Sequence, residues 1–283
     1  MNDSEIFIIG ARGQLGTALR KKYPGAQIAD SNELDITNAQ SVADFNWDGI
    51  KVIINAAAYT NVDGAETPEG RESAWEVNAT AVGDLVSVAI AHDMILVHIS
   101  TDYIFDGTKT PHLETEDFSP LNVYGQTKVA GDIAASLAPK HYIVRTSWVI
   151  GEGKNFVLTM KSLAEQGIKP SVVNDQIGRL TFTTDLANAI AHLLSTNAPF
   201  GTYNFTNDGD SVSWADIAAN VYEAYGHDRS EITGVSTEEY YRGKDGIAPR
   251  PLQSTLSLDK IKATGFAPRD WREALTEYLN NVN

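Results

Sequence analysis

Residues 5–16 of the chain read EIFIIGARGQLG, and this stretch decides the class of fold. The apolar run at residues 6–9 has the length of a buried strand and passes directly into G-x-x-G-x-x-G. A strand that turns through glycines into a helix opens a dinucleotide-binding βαβ unit. Gly10 and Gly13 let backbone N–H groups approach a pyrophosphate, and Gly16 lets the helix pack closely on the strand. The glycine triplet alone is also compatible with a tight turn in an unrelated α/β protein.

The rest of the first half alternates short β-branched runs with longer helix-period stretches, which is typical of an α/β protein with a parallel sheet. We predict a Rossmann-type doubly wound sheet, with residues 1–150 as a dinucleotide-binding domain to which later segments return. The pattern loosens after Trp148, so residues 151–283 are predicted to be mainly a smaller α+β substrate-binding lobe. The predicted strands are 5–9, 26–29, 51–55, 94–99, 141–146, 171–173 and 202–205; the predicted helices are 14–22, 37–45, 72–92, 123–137, 155–166, 184–195, 213–225 and 271–278.

Three local features refine this picture. Asp35 or Thr37 is a candidate cap for the second helix, and Asn122 is one for the fourth. Residues 240–252 are rich in Gly, Arg and Pro, which predicts a loop able to fold over a ligand.

Composition excludes several classes of function. The chain has 283 residues, 42% of them apolar, a formal charge of −15 and no cysteine. The absence of cysteine excludes disulfides, thiolate zinc sites, iron–sulfur clusters and a cysteine nucleophile. An acidic chain repels phosphate backbones, so we expect no nucleic-acid partner. We also expect no membrane association and a cytoplasmic location, because no apolar run is long enough to span a bilayer and the amino terminus lacks a basic segment.

Asp30 lies 20 residues after Gly10, at the end of the second predicted strand. A carboxylate at this point accepts hydrogen bonds from the adenosine ribose hydroxyls, which favours NADH. Arg12 and Ser31 are candidates for holding a 2′-phosphate, so NADPH stays open.

Tyr124 and Lys128 are four residues apart on a predicted helix and therefore share one face of it. An ammonium near a phenol is expected to lower the phenol pKa, so that Tyr124 exchanges a proton with a carbonyl oxygen near neutral pH. Ser100 and Thr101 end the preceding predicted strand, where residues of a parallel sheet line the ligand crevice. Either hydroxyl can hold the reacting oxygen, and we prefer Thr101. The spacing alone also fits a packed tyrosine beside a solvated lysine.

With these motifs in place, the sequence resembles the extended short-chain dehydrogenase/reductase superfamily and, within it, the dTDP-4-dehydrorhamnose reductase family. The resemblance spans nearly the whole chain in family order. It rests on GARGQLG (10–16), LDITN (34–38), VIINAAAYTNVDGAE (52–66), VNA (77–79), ISTDYIFDG (99–107), SPLNVYGQTKVAGD (119–132), RTSWVIG (145–151), NF (155–156), VVNDQIGRLT (172–181) and RPLQSTL (250–256).

The resemblance implies reduction of the C4 ketone of dTDP-4-dehydro-β-L-rhamnose to dTDP-β-L-rhamnose by NADPH or NADH, with Thr101, Tyr124 and Lys128 as the catalytic residues. It implies substrate contacts from Thr60, Val62, Tyr103 and Trp148, and we add Asn155 and Arg250 as candidates for the diphosphate end of the nucleotide. The implied cofactor contacts are Gly10, Arg12, Gly13, Gln14, Leu15, Gly16, Asp30, Asp35, Ile36, Ala56, Ala57, Ala58, Tyr124 and Lys128.

Some family features are absent or open. Leu180 stands where the family usually has proline, which leaves the shape of that loop open. Glu277 matches one ligand of a magnesium site found in some members, but Thr184 stands where another would be, so we predict no metal. We expect a monomer or homodimer, with possible association with a 3,5-epimerase.

Other functions occur on the same scaffold. Tyr103 follows Thr101-Asp102 where a dehydratase commonly has a second carboxylate, which disfavours elimination. A different nucleotide-sugar epimerase or reductase is an alternative. A non-catalytic dinucleotide-binding subunit, similar to the regulatory subunit of methionine adenosyltransferase, is another.

Overall fold

The computed structural model describes residues 2–282. Its strands are β1 (Ile6–Ile9), β2 (Gln27–Ala29), β3 (Val52–Asn55), β4 (Ile95–Thr101), β5 (His141–Thr146), β6 (Val149–Ile150), β7 (Ser171–Val173), β8 (Ile177–Gly178), β9 (Thr181–Phe182), β10 (Gly201–Asn204), β11 (Val212–Ser213) and β12 (Thr233–Val235). Its α-helices are α1 (Gln14–Lys22), α2 (Ala39–Asp44), α3 (Pro68–Trp75), α4 (Ala81–Ala91), α5 (Val123–Ser136), α6 (Phe156–Glu165), α7 (Thr183–Ser195), α8 (Trp214–Ala224), α9 (Thr237–Tyr241), α10 (Asp259–Ala263) and α11 (Trp271–Asn281).

Six parallel strands form the central sheet in the order β10-β5-β4-β3-β1-β2. Strands β1 and β3 pair in register, with Ile8 opposite Ile54. This arrangement confirms the predicted Rossmann-type fold class.

Both faces of the sheet are buried because side chains alternate along each strand. In β1, Ile6 and Ile8 pack into the core beneath α1 and α7, whereas Phe7 and Ile9 pack into the core beneath α2 and α4. Val144 in β5 belongs to the first of these cores. The apolar runs that predicted these strands are therefore continuous because helices cover both sides.

The second half both returns to this sheet and builds a core of its own. Strand β10 pairs with β5, and α7 packs against α1. The separate core includes Val157 of α6, Ile217 of α8 and Trp271 of α11. Three two-stranded sheets, β6 with β9, β7 with β12 and β8 with β11, accompany it. Several of these strands were not predicted, because two or three residues are too few to show a period.

The predicted helix at 72–92 is wrong as a single element. The structure has α3, a π-helical turn at Glu76–Thr80 and then α4. The turn contains Asn78, which accepts from the Tyr59 N–H at 2.9 Å and donates to the Thr127 hydroxyl at 3.0 Å. A π-helical turn contains one more residue than an α-helical turn, and the buried side-chain amide of Asn78 lies in this turn.

The predicted caps for the second helix are also wrong. Asn38 caps α2 by accepting from the Ser41 N–H, while Asp35 bonds to Thr37 instead. The predicted cap Asn122 accepts from the Gly125 N–H at 2.7 Å and starts α5, as expected.

Candidate active site

The glycine turn at the end of β1 has no room for a side chain at Gly10 or Gly16. Gly10 has φ +75°, and a Cβ there would lie 2.6 Å from the backbone nitrogen of Ala57. A Cβ at Gly16 would lie 2.1 Å from the carbonyl oxygen of Gly10. Gly13, the N-cap of α1, faces more open space, with the Gly10 carbonyl oxygen 3.3 Å from an added Cβ. The turn therefore fits a pyrophosphate against the helix amino terminus.

A cavity of about 340 Å³ lies beside this turn at the carboxyl ends of β1, β2 and β3. Its size and its largely apolar lining, with a few polar groups at one edge, suit the adenosine end of NAD(P)H. The residues that line it are Ile9, Gly10, Arg12, Gly13, Asp30, Ser31, Leu34, Asp35, Ile36, Thr37, Ala56, Ala57, Ala58 and Val77.

Three residues predicted from the glycine motif do not line this cavity. The Gln14 side-chain oxygen accepts from the Gly151 N–H at 2.7 Å. Leu15 is buried in the core beneath α1, and Gly16 packs against the turn. Leu34, Thr37 and Val77 line the cavity without having been predicted as site residues. The LDITN and VNA motifs were the available signal, since they contain all three.

Asp30 and Arg12 face each other across the cavity edge. The Arg12 guanidinium lies 2.5 Å from an Asp30 carboxylate oxygen, with Arg12 largely exposed and Asp30 mostly buried. The other Asp30 oxygen accepts from the Asn32 N–H. The pair therefore places a carboxylate, which can accept hydrogen bonds from ribose hydroxyls, beside a guanidinium cation.

Tyr124 and Thr101 meet at the junction of α5 and β4. Strand β4 extends to Thr101, and the Thr101 hydroxyl lies against the Tyr124 phenol and lowers its pKa. The Tyr103 ring packs edge-on against Tyr124, with 5.5 Å between ring centroids. The two hydroxyl groups that the sequence singled out are therefore neighbours.

The expected effect on the Tyr124 pKa is wrong for this state of the protein. Burial raises the pKa of the phenol, the hydrogen bond with Thr101 offsets this in part, and the carboxylates of Asp102 and Asp132 raise it further. The prediction considered the charge of Lys128 and left out the burial of the phenol and the two carboxylates. Tyr124 is thus held as a neutral phenol, which is the form that donates a proton.

Lys128 lies one helical turn below Tyr124 and is only 2% exposed. Its ammonium donates to the Ile99 carbonyl oxygen at 2.7 Å. Burial lowers the pKa of Lys128 to about 8, and the charge of Asp132 partly offsets the effect. The lysine is buried rather than solvated.

A buried ion pair that was not predicted from the sequence lies one helical turn after Lys128 along α5. The Arg145 Nε donates to the Asp132 carboxylate at 3.0 Å, and both side chains are almost fully buried. Burial raises the pKa of Asp132, whereas Arg145 and Ser100 lower it. Ser100 thus lies near Asp132, and Thr101 lies near Tyr124. The spacing of Lys128 and Asp132, four residues apart on α5, was the signal that existed.

The predicted sugar-contacting residues fall into two groups. Val62 and Tyr103 pack against the cluster that contains Tyr124, whereas Thr60 is exposed two residues before Val62. Trp148 has φ +48° and stacks on Trp214 with 3.8 Å between ring centroids, as part of the second core.

Arg250 lies in the predicted loop and reaches the same region. It forms a two-pronged ion pair with Asp63, with distances of 2.5 and 2.9 Å. The charge of Arg250 lowers the pKa of Tyr103, although burial of the phenol has the larger, opposite effect. Asn122 donates to the Pro249 carbonyl oxygen, which holds the loop against the start of α5.

The Asn155 side chain forms hydrogen bonds within the protein in this structure. Its oxygen caps α6 by accepting from the Leu158 N–H, and its nitrogen donates to the Gly151 carbonyl and the Tyr278 hydroxyl. The nucleotide-binding role suggested for it stays a prediction.

Glu277, which matches one ligand of the magnesium site of some family members, lies against a cation of the chain. Arg269 forms ion pairs with both Asp185 and Glu277. Within residues 2–282, no group of three or more His, Asp or Glu side chains converges as a metal site requires. The same part of the chain contains no helix long and apolar enough to cross a membrane.

Comparison with known proteins adds independent information. A family model described as the RmlD substrate binding domain matches residues 4–283. A dTDP-4-dehydrorhamnose reductase of Aggregatibacter actinomycetemcomitans is 40% identical, over 96% of this chain and 97% of its own length.

Two solved structures with related sequences have the same fold. A dTDP-4-dehydrorhamnose reductase of Clostridium acetobutylicum superposes with a TM-score of 0.90 at 37% identity, covering 98% of this chain and 99% of its own. A Bacillus anthracis dTDP-4-dehydrorhamnose reductase in complex with NADP has a TM-score of 0.89 at 34% identity, covering 98% of each chain.

Proposed function

Because the chain belongs to the family described by the RmlD substrate-binding-domain model, we propose that it is an oxidoreductase that uses NADPH or NADH. Its reaction is reduction of the C4 ketone of dTDP-4-dehydro-β-L-rhamnose to dTDP-β-L-rhamnose. Relatives at 36–40% identity carry the name dTDP-4-dehydrorhamnose reductase, and one solved relative contains NADP.

The observation that most supports this activity is that the Thr101 hydroxyl lies against the Tyr124 phenol, on the helix that also carries the buried ammonium of Lys128. Bound reduced nicotinamide supplies the hydride. Tyr124 donates its proton to the sugar O4, and its raised pKa keeps that proton on the phenol before the reaction. Lys128 places a positive charge below the phenol, which stabilises the phenolate that remains. Thr101 holds the reacting oxygen and the phenol in one place.

The remaining site residues are proposed in matching roles. The turn at Gly10 to Gly16 and the cavity with Asp30 and Ala56 to Ala58 bind the cofactor. Tyr103, Trp148 and Arg250 bind the nucleotide sugar, the guanidinium of Arg250 suiting a diphosphate. Residues 1–150, joined by β10 and α7, act as the dinucleotide-binding domain, and residues 151–283 supply most of the sugar-binding lobe.

A coupled assay tests the proposal. The purified protein is incubated with a panel of nucleotide-linked 4-keto sugars and with NADPH or NADH, and absorbance at the reduced-nicotinamide band is followed. The expected result is a substrate-dependent fall that is fastest with the dTDP-linked 4-keto sugar generated by a 3,5-epimerase. No fall with any sugar would leave a binding role in place of an enzyme. Stoichiometric cofactor retained after purification would favour an epimerase.

Cytoplasmic location, a monomer or homodimer, and association with a 3,5-epimerase are also proposed. Sedimentation of the protein with and without a purified 3,5-epimerase tests the last two.

A further inference from the structure

The Thr101 hydroxyl has one proton and donates it in a hydrogen bond within the protein. The hydroxyl donates to the Asp102 carboxylate at 3.0 Å, and its oxygen accepts from the Tyr103 N–H at 3.2 Å. While this arrangement holds, the Thr101 proton is engaged by the Asp102 carboxylate. A hydroxyl whose only proton is engaged in this way cannot donate to a ketone oxygen.

Asp102 is unusually placed for a carboxylate. It is 2% exposed, and one of its oxygens makes no hydrogen bond of good geometry among the described residues. The Ser254 hydroxyl, from the segment before α10, lies against the carboxyl and helps to stabilise its charge. A buried carboxylate with few donors is costly to ionise. Burial accordingly raises the pKa of Asp102 to about 6.

The groups around Asp102 come from every element packed against it. Thr101 and Tyr103 flank it in the chain, Tyr124 faces it from α5, and Ser254 faces it from the later segment. His112 is the one group nearby that can carry a positive charge among those influencing Asp102, and it bonds instead to Glu116 and Gln253. No lysine or arginine of residues 2–282 forms an ion pair with Asp102, so its protonation is decided locally.

Resting on the proposed reductase function, we propose that Asp102 is a positioning residue whose protonation decides where Thr101 donates. When Asp102 is ionised, it takes the Thr101 proton in a hydrogen bond. When Asp102 carries a proton, its own O–H donates to the Thr101 oxygen, and the Thr101 O–H turns to the sugar O4. The second arrangement places two donors, Thr101 and Tyr124, on the oxygen where negative charge develops.

The pH dependence of reduction tests this switch. Between pH 5 and 7.5, kcat/KM of the unmodified protein is expected to fall about tenfold, since Thr101 loses its role as donor. In Asp102→Asn, the amide can donate to Thr101 at every pH, so the fall is expected to disappear. Asp106→Asn, a matched change at the half-buried Asp106 four residues on, should keep the fall. An unchanged fall in Asp102→Asn, or none in the unmodified protein, overturns the proposal.

Ser254→Ala provides a second variant that retains Asp102. Loss of the Ser254 hydroxyl removes a group that stabilises the ionised carboxyl, so the fall is expected to move to higher pH. If Asp102 had only a structural role, the Asp102→Asn and Ser254→Ala variants would lose thermal stability. The pH midpoint of the fall in kcat/KM would then be the same in Ser254→Ala as in the unmodified protein. An unmoved midpoint in a folded Ser254→Ala protein counts against the proposal.

A measurement without turnover separates this proposal from the reductase function. Carbon-13 NMR of the Asp102 carboxyl should show a midpoint of about 6, and Thr101→Val should raise it by removing a donor to the carboxylate. A midpoint near the ordinary value of 3.8, or no change in Thr101→Val, overturns the link between the two residues. A protein that reduces no 4-keto sugar refutes the proposed function, while the NMR result still decides the hydrogen bond.

Discussion

The ammonium of Lys128 donates to the carbonyl oxygen of Ile99 at 2.7 Å, so α5 is tied to β4 two residues before Thr101. The contact fixes the helix that carries Tyr124 against the strand that carries its partner hydroxyl. It also places a positive charge in a dry site, where its effect on a nearby phenol is larger than in water.

Lys128 gives the reaction an alkaline limit. Its pKa of about 8 means that the ammonium is present below this pH and is lost above it. We therefore expect kcat/KM for ketone reduction to fall as pH rises through about 8. In Lys128→Met, activity should fall roughly 100-fold and this limb should disappear. Pre-steady-state rates between pH 7 and 9.5 provide the measurement, and an unchanged rate up to the upper limit would contradict the assignment.

Tyr124→Phe removes only the transferable proton. We expect kcat to fall about 1000-fold, with the dissociation constant of the cofactor changed less than about twofold. Tyr142→Phe is a matched control, because the Tyr142 hydroxyl donates to the Ala198 carbonyl in the sheet core and not at the site. That control should lose about 1 kcal/mol of stability and keep its activity. Turnover by Tyr124→Phe at the normal rate would remove Tyr124 from the proposed role.

Asp30 is expected to control the choice between NADH and NADPH. Its carboxylate repels a 2′-phosphate and accepts from ribose hydroxyls, so Asp30→Asn should shift the ratio of kcat/KM values about tenfold towards NADPH. Glu33→Gln is the control, since Glu33 carries the same charge and its carboxylate accepts from the Asp30 N–H. Steady-state kinetics with both cofactors measure the shift. An equal change in the two variants would assign it to general charge rather than to contact with the ribose.

Gly16→Ala should damage the cofactor turn. The added methyl would lie 2.1 Å from the Gly10 carbonyl oxygen, so we expect a loss of about 3 kcal/mol and at least tenfold weaker cofactor binding. Gly83→Ala in α4 is the matched control, because no atom lies within 4 Å of an added Cβ there. It should stabilise the protein by about 0.5–1 kcal/mol. Urea unfolding and cofactor titration distinguish the two variants.

The buried Arg145–Asp132 pair is expected to matter for stability. Removing one partner leaves an uncompensated buried charge, so Arg145→Met should cost about 3–5 kcal/mol. Lys140→Met breaks the exposed pair with Asp93 and should cost less than about 1 kcal/mol. Denaturant unfolding of each variant measures the difference. Arg145→Met with Asp132→Leu should recover part of the loss, and a double variant no more stable than the single one would argue against an uncompensated charge.

Local pattern was sufficient for the frame of the molecule. The run at residues 6–9, the glycine turn and the cap at Asn122 each act over a few residues, so spacing alone predicts them. The six-stranded sheet and the start of α5 agree with that reading. Local pattern also singled out Tyr124, Lys128 and Thr101, although not their electrostatic state.

Tertiary structure decided the features that depend on distant partners. The predicted helix at 72–92 is interrupted by a π-helical turn that contains Asn78, whose hydrogen-bond partners Tyr59 and Thr127 lie far away in the sequence. Arg250 meets Asp63 from 187 residues away, a pairing that no period along the chain encodes.

The protonation of the site belongs to the same group. Burial raises the pKa of Tyr124 and Asp102 and lowers that of Lys128, and neighbouring groups such as Ser254 beside Asp102 oppose part of the effect. Sequence by itself determined which chemical groups are present and where the strands and most helices of the central sheet lie along the chain. Their charge states were decided by the fold, because the free energy of ionising a side chain depends on the water and the charges around it.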